Sequence, residues 1–262
     1  MKRYTTIHPL FMSFYSRSLY RDVGQNWKKL SFLYLFLLSA VCLIPIMYKI
    51  HYEVSDYLLK EAPKIVKQVP LITIAKGVAS VDVEMPHVIR DPESGDPLII
   101  IDTTGKTTSL KGTDIVLLLT KSTLVFKGRS SEARTLNLSE IGDLTIDQAQ
   151  VYSWIEIFLE YFIYVLYPIA LLFTFLFRIA QALIFAAIGI SLAKTMGVSL
   201  RYGALVSLSI VAMTPSIILH TIYSYLDIDV PFRWLFNFAV AMGYLFFAVR
   251  ANGDQGFPET GA

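Results

Sequence analysis

Arg178 and Gln181 are the residues of this chain whose types and setting most demand an explanation, because both lie inside a long apolar stretch, residues 164–193. An ionised side chain near the centre of a bilayer costs about 2.5 to 3.5 kcal/mol on insertion scales, so such an arginine faces a bundle interior, a cavity or a partner. No Asp or Glu within the apolar stretches could neutralise it, which leaves Thr214, His220, Asn237, Tyr244 and the carbonyls freed by Pro215 as partners. Arg178, Gln181, Thr214, His220 and Asn237 therefore form a candidate intramembrane polar site. It either holds the protein together, within the bundle or against another subunit, or it serves a ligand, a lipid headgroup or an ion path.

Asp102 is the most enzyme-like residue. A hydrophobic strand ending in Asp-Thr-Gly is how aspartic proteases present one carboxylate, but here the run is Asp102-Thr103-Thr104-Gly105, with one Thr too many. The second carboxylate of a pair would have to come from another copy. The reading that needs nothing further is an extracytoplasmic turn in which Asp102, Thr103 and Thr104 satisfy backbone groups and Gly105 closes the loop. The four histidines, His8, His51, His87 and His220, are far apart and show no zinc-ligand spacing. Asp91, Glu93 and Asp96 surround Gly95 without the closing Glu of a calcium loop. Phosphate-binding loops, nucleophile elbows and basic-aromatic nucleic-acid surfaces are absent from the sequence, so no cofactor and no nucleic acid is expected.

These residues must be positioned by helices in lipid. Of 262 residues, 54% are hydrophobic and 17% charged, against roughly 25% charged in ordinary soluble domains. The single cysteine, Cys42, sits in an apolar run and excludes a disulfide framework. Residues 30–47 form an uncharged run of 18, about what a helix needs to cross roughly 30 Å of hydrocarbon, and residues 30–49 make the first expected span. The basic lead of 29 residues is too long for a secretory signal, so this segment is expected to remain as an anchor.

Residues 151–194 could cross once or twice. Their middle, Phe177, Arg178, Ile179, Ala180 and Gln181, has none of the Gly, Pro or Asn that a turn wants. One crossing is the reading, with 151–163 as an interfacial helix and 164–193 as the second span. Residues 203–223, with Pro215 inside, form the third span, and residues 231–249 the fourth, opened by Pro231 at a helix start. Small residues at Ala182, Ala186, Ala187, Gly189, Gly203, Ala204, Ser207 and Ser209 are suited to close helix approach.

Four spans put both termini on one side. That side carries nine basic and three acidic residues, whereas the segments on the other side carry 13 basic and 18 acidic ones. The excess of Lys and Arg marks the terminal side as cytoplasmic. A five-span alternative would move Lys194 and Arg201 to the other side.

Three pieces lie outside the spans. Within residues 1–29, Phe11, Phe14, Tyr15, Leu19, Val23 and Trp27 fall near helical spacing over 9–27. That helix lies on the inner leaflet or packs on the protein's own spans. Residues 50–150 begin as a charged helix interrupted at Pro63. Strands follow at 71–75, 80–83, 98–102, 115–120, 123–127 and 135–138, separated by turns such as Lys76-Gly77. Residues 250–262 are a short polar tail, expected to be flexible.

The string FMSFYSRSLYRDVGQNWKKLSFLYLFLL, the patches PLITIAKGVASVD and IIIDTTGK, and the block PIALLFTFLFRIAQALIFAAIGISLAKTMGVSLRYGALVSLSIVAMTP resemble the bacterial membrane family called domain of unknown function 1189. The resemblance covers about residues 10–225. It implies a core like that of the Yip-type multi-span proteins over 168–215: a long helix, a short basic connection and a helix bearing a proline. The family offers no catalytic motif to carry over. The expected fold is an α-helical integral membrane protein of four transmembrane helices with an inserted β-rich extracytoplasmic domain, in the bacterial inner membrane. The expected function is non-enzymatic, a scaffold, assembly factor or accessory subunit. The alternative is a transport-linked or lipid-handling protein using the site around Arg178. Expected partners are membrane lipid and other membrane proteins or a second copy of the chain.

Overall fold

The computed structural model describes residues 4–107, 115–127 and 133–253. The helices are α1 (Pro9–Met12), α2 (Arg17–Asn26), α3 (Leu30–Val66), α4 (Gln148–Thr195), α5 (Tyr202–Ala212), α6 (Thr214–Tyr225) and α7 (Arg233–Gly253). The strands are β1 (Ile72–Ala75), β2 (Val78–Val81), β3 (His87–Arg90), β4 (Pro97–Asp102), β5 (Leu117–Thr120), β6 (Thr123–Lys127), β7 (Ala133–Asn137) and β8 (Leu144–Ile146). They fall into two compact units, Met1–His51 with Ile163–Ala262, and Tyr52–Phe162.

Among the described residues, four helical stretches are long and apolar enough to cross a membrane: Leu30–Val66, Gln148–Thr195, Tyr202–Tyr225 and Arg233–Gly253. α4 runs unbroken through Arg178, with no turn in its middle. Four expectations need correction. α3 continues through Pro63 to Val66, because a proline in the last turn forfeits a single backbone bond near an end that frays anyway. The single helix expected over 9–27 is two: Ser16 is extended, and its hydroxyl accepts the Leu19 N–H at 3.3 Å, which starts α2 afresh. The third span divides at Met213, between α5 and α6, where Pro215 cannot supply the next helical N–H. Pro231 lies in the turn before α7 rather than at its start, and α7 extends to Gly253, into what was expected to be tail. The rest of that tail lies outside the described residues.

The break before α2 splits the apolar stripe. Leu19, Tyr20, Val23 and Trp27 are buried against α5 and α7, whereas Phe11 and Tyr15 are exposed. Ser207 donates to the Trp27 carbonyl at 3.1 Å and accepts from Ser31 at 3.1 Å, and Asn252 donates to the Tyr20 carbonyl at 3.2 Å. The starts of α3 and α5 and the end of α7 thus meet at α2. At the opposite end, Lys49 pairs with Asp227 and donates to the Ser224 carbonyl at 3.2 Å. α3 therefore runs alongside α5 and α6 in the same direction. α4 runs against α3: Tyr167 donates to the Ala40 carbonyl at 2.9 Å and Phe175 meets Phe36 edge-on. Ala182, Ala186 and Gly189 form the buried face of α4, and a Cβ at Gly189 would lie 3.3 Å from Leu205 Cδ2, so small residues set the close approach.

The second unit holds two sheets. β2-β1-β8 is antiparallel, and β3-β4-β5-β6-β7 is antiparallel except for the parallel pair β4-β5. The turn Lys76-Gly77 joins β1 to β2 with φ of 50° and 77°, as a two-residue type I′ hairpin requires. Alternation along β4 and β5 sends Ile101 and Leu119 into one apolar cluster and Ile100 and Leu118 into another. The sequence reading missed β3 and β8 and placed the second strand at 80–83 instead of Val78–Val81. β3 and β8 are strands because β4 and β1 offer them ladder partners.

Candidate functional site

Arg178 lies on α4 beside a cavity of about 390 Å³. Ser39 and Cys42 from α3, Phe173 and Phe177 from α4, and Ile217, His220 and Thr221 from α6 line it with Arg178. Each helix contributes residues three or four apart, the spacing of one helix face. Arg178 Nη1 donates to Gln181 Oε1 at 2.8 Å, so the guanidinium is met by a neutral amide. Residues 30–51, 163–225 and 231–253 contain no Asp or Glu. The Ser39 hydroxyl on the same cavity is buried and has no hydrogen-bond partner among the described residues.

The five residues expected in this site do not all meet. Arg178 and Gln181 are bonded, and His220 shares the cavity. Thr214 instead pairs with the Tyr34 hydroxyl at 2.8 Å in the packed core. Asn237 accepts from the Tyr223 hydroxyl. Tyr223 links that pair to the cavity: its ring stands edge-on to His220 at 5.6 Å, and the Arg233 guanidinium lies 5.1 Å from its centre. A polar ladder of Arg233, Tyr223 and His220 thus leads from the start of α7 to the cavity that Arg178 lines. The sequence reading missed Ser39, Cys42, Thr221, Tyr223 and Arg233; the (i, i+3) pair Ser39 and Cys42 opposite a lone arginine was the available signal.

A second cavity of about 790 Å³ lies near the start of α3, with Trp27, Lys28, Lys29, Phe32, Leu183 and Arg201 among its lining.

Asp102 ends β4 fully buried. Its Oδ1 accepts the Thr104 hydroxyl at 2.6 Å and the Thr104 N–H at 2.9 Å, and its Oδ2 accepts the Thr107 N–H at 2.5 Å. The Thr104 hydroxyl is the strongest influence holding the carboxyl down to about 2; burial opposes it, and the Thr107 and Thr104 N–H groups add to it. Gly105 has φ of 81°, which closes the turn. Both carboxylate oxygens are engaged by the residues that follow Asp102. Asp91 closes the acidic turn in the same manner, accepting from the N–H groups of Ser94 and Glu93, which hold its carboxyl below the usual range. Among the described residues no cluster of three His, Cys, Asp or Glu could hold a metal ion.

A family model described as a protein of unknown function (DUF1189) matches residues 7–249. No curated protein and no solved structure matches the chain.

Proposed function

The chain belongs to the DUF1189 family of proteins of unknown function, and from that premise we propose that it is a non-enzymatic multi-pass protein of the bacterial inner membrane, a scaffold or accessory subunit of a membrane complex. In this reading its four apolar helices cross the bilayer with both termini in the cytoplasm. The β-rich unit lies outside, and residues 168–215 form a Yip-like core. The gathering of Lys28, Lys29 and Arg201 around one cavity supports that orientation, because anionic headgroups of the inner leaflet favour such a cluster.

The observation that carries the accessory role is the uneven burial of the apolar helices. In the most apolar window of Tyr202–Tyr225, 72% is buried within the chain's own fold, but in that of Gln148–Thr195 only 17%. α4 keeps its small-residue face for its own bundle and leaves Leu172, Phe173, Leu176, Phe177 and Ile184 open. A partner helix, with lipid around it, fits that broad face. Purification from native membranes in mild detergent tests the role. A stoichiometric partner retained by the natural chain and lost from Leu172→Ala/Leu176→Ala supports it; a chain that elutes with lipid alone refutes it.

A second reading, a transport-linked or lipid-handling protein, is favoured by the cavity at Arg178. A guanidinium with no carboxylate within its own spans suits a ligand that brings the negative charge with it.

A further inference from the structure

Arg178 has five N–H donors and spends one on Gln181. Across the same cavity the buried Ser39 hydroxyl lacks a partner, and no acidic residue occurs in any of the apolar stretches. The cavity therefore presents one positive charge and a spare hydroxyl, with no acceptor of matching charge. Its other walls, Leu43, Ile46, Phe173, Phe177 and Ile217, are apolar. At about 390 Å³ it lies at the small end of ligand pockets and cannot enclose a two-chain phospholipid. The charged and polar groups leading to it, Arg233 over Tyr223 and then His220, would attract and guide an anion from the end of the unit where Lys49 meets Asp227.

We propose that this cavity binds a small organic monoanion, its carboxylate seated on Arg178 and the Ser39 hydroxyl and its apolar body against Phe173, Phe177 and Ile217, admitted from the Arg233 end. One cation selects one negative charge. The apolar walls favour an aromatic or branched carboxylate over a hydrated inorganic ion, whose shell they could not replace. The inference rests on the second reading above and gives its site a ligand class.

Cys42, the chain's only cysteine, lines the same cavity and serves as the reporter. The full chain in sealed phosphatidylcholine vesicles would be treated with two thiosulfonate reagents of similar size, one ending in a sulfonate and one in a quaternary ammonium. The Cys42 thiolate attacks the sulfenyl sulfur of either reagent and expels sulfinate, so the ratio of the two rates, divided by the same ratio for free 2-mercaptoethanol, cancels the reactivities of thiol and reagents and reads the local charge. That normalised ratio is expected to favour the anionic reagent by about tenfold or more. Arg178→Gln should bring the ratio near one, and Arg178→Lys should largely retain it. Benzoate should slow labelling of the natural chain and of Arg178→Lys but not of Arg178→Gln.

A ratio near one in the natural chain overturns the proposal, as does a ratio unaltered by Arg178→Gln or the absence of benzoate protection. Labelling by a neutral maleimide but by neither charged reagent overturns it too, since no aqueous path would exist. Protection by added phosphatidylglycerol and not by benzoate overturns it in favour of a lipid headgroup. Alkaline carbonate extraction is read separately: release of the chain from the vesicles defeats the membrane reading itself, whatever the labelling.

Discussion

Replacing Asp102 by Asn distinguishes a carboxylate that builds a turn from one that performs chemistry. In the folded unit the carboxylate accepts from the Thr104 hydroxyl, the Thr104 N–H and the Thr107 N–H, and the Thr107 hydroxyl adds to them. Bonds to a charged group contribute about 1.5 to 3 kcal/mol each and neutral ones about 0.5 to 1.5. Asn keeps an oxygen for Thr104 at neutral strength, but its amide N–H₂ then faces the Thr107 N–H, a donor against a donor. With non-additivity allowed for, the loss is about 2 to 4 kcal/mol. Hydrogen exchange in the full chain, read on peptides covering β4 and residues 103–107, should accelerate by roughly 30- to 800-fold near pH 7. Thr104→Val, which removes only the hydroxyl bond of 2.6 Å, should give a smaller change, about tenfold. The pH dependence has a fixed sign. Asp102 titrates near 2 in the folded chain against an ordinary 3.8, so its stabilisation is complete above pH 4 and fades as pH falls toward 2. The gap in thermal midpoint between the natural chain and Asp102→Asn should therefore narrow from pH 6 to pH 3. Exchange in Asp102→Asn within about twofold of the natural chain, or a gap in midpoint that does not move with pH, would refute the reasoning.

Two further outcomes follow from the same structure. Gly77 and Gly95 both have positive φ, but a Cβ at Gly77 would lie 2.9 Å from the Ser139 backbone, whereas at Gly95 nothing lies within 4 Å. Gly95→Ala should cost about 1 to 2 kcal/mol for the left-handed backbone alone. Gly77→Ala should cost about 2 to 5, because overpacking is added. At about 4 to 8 °C per kcal/mol in a domain of this size, thermal melts should resolve the two, and equal melting points would show the hairpin and Ser139 are not in contact. With Cys42 replaced by Ser, a cysteine at exposed Ser94 should react with an impermeant maleimide in intact cells; reaction only after lysis would reverse the proposed topology.

The existence of the apolar helices, though not their ends, was legible because apolarity is a sum over consecutive residues, and 30–47 and 164–193 carry that sum on their own. The Lys76-Gly77 hairpin and the Asp102 turn were legible for a related reason: both are made by neighbours in sequence, with side chain and backbone within five residues. β3 and β8 were not: each owes its strand to the ladder that β4 or β1 offers it. The candidate site divides along the same line. Its central pair, Arg178 and Gln181, is one turn of a single helix and could be paired from spacing. Whether Thr214 or His220 faced them depended on how α6 is turned against α3 and α4, which puts Thr214 on Tyr34 and His220 on the cavity. Ser39 and Cys42 lie more than 130 positions from Arg178. The rotational setting of α3 against α4 and α6 brings them to one cavity, and that phase is fixed by tertiary packing at contacts such as Tyr34 with Thr214 and Phe36 with Phe175. The sequence by itself determined which segments are apolar helices and which local turns close, because those energies are local sums. Tertiary structure alone decided which polar groups share an interior, because facing is a property of how whole helices are turned.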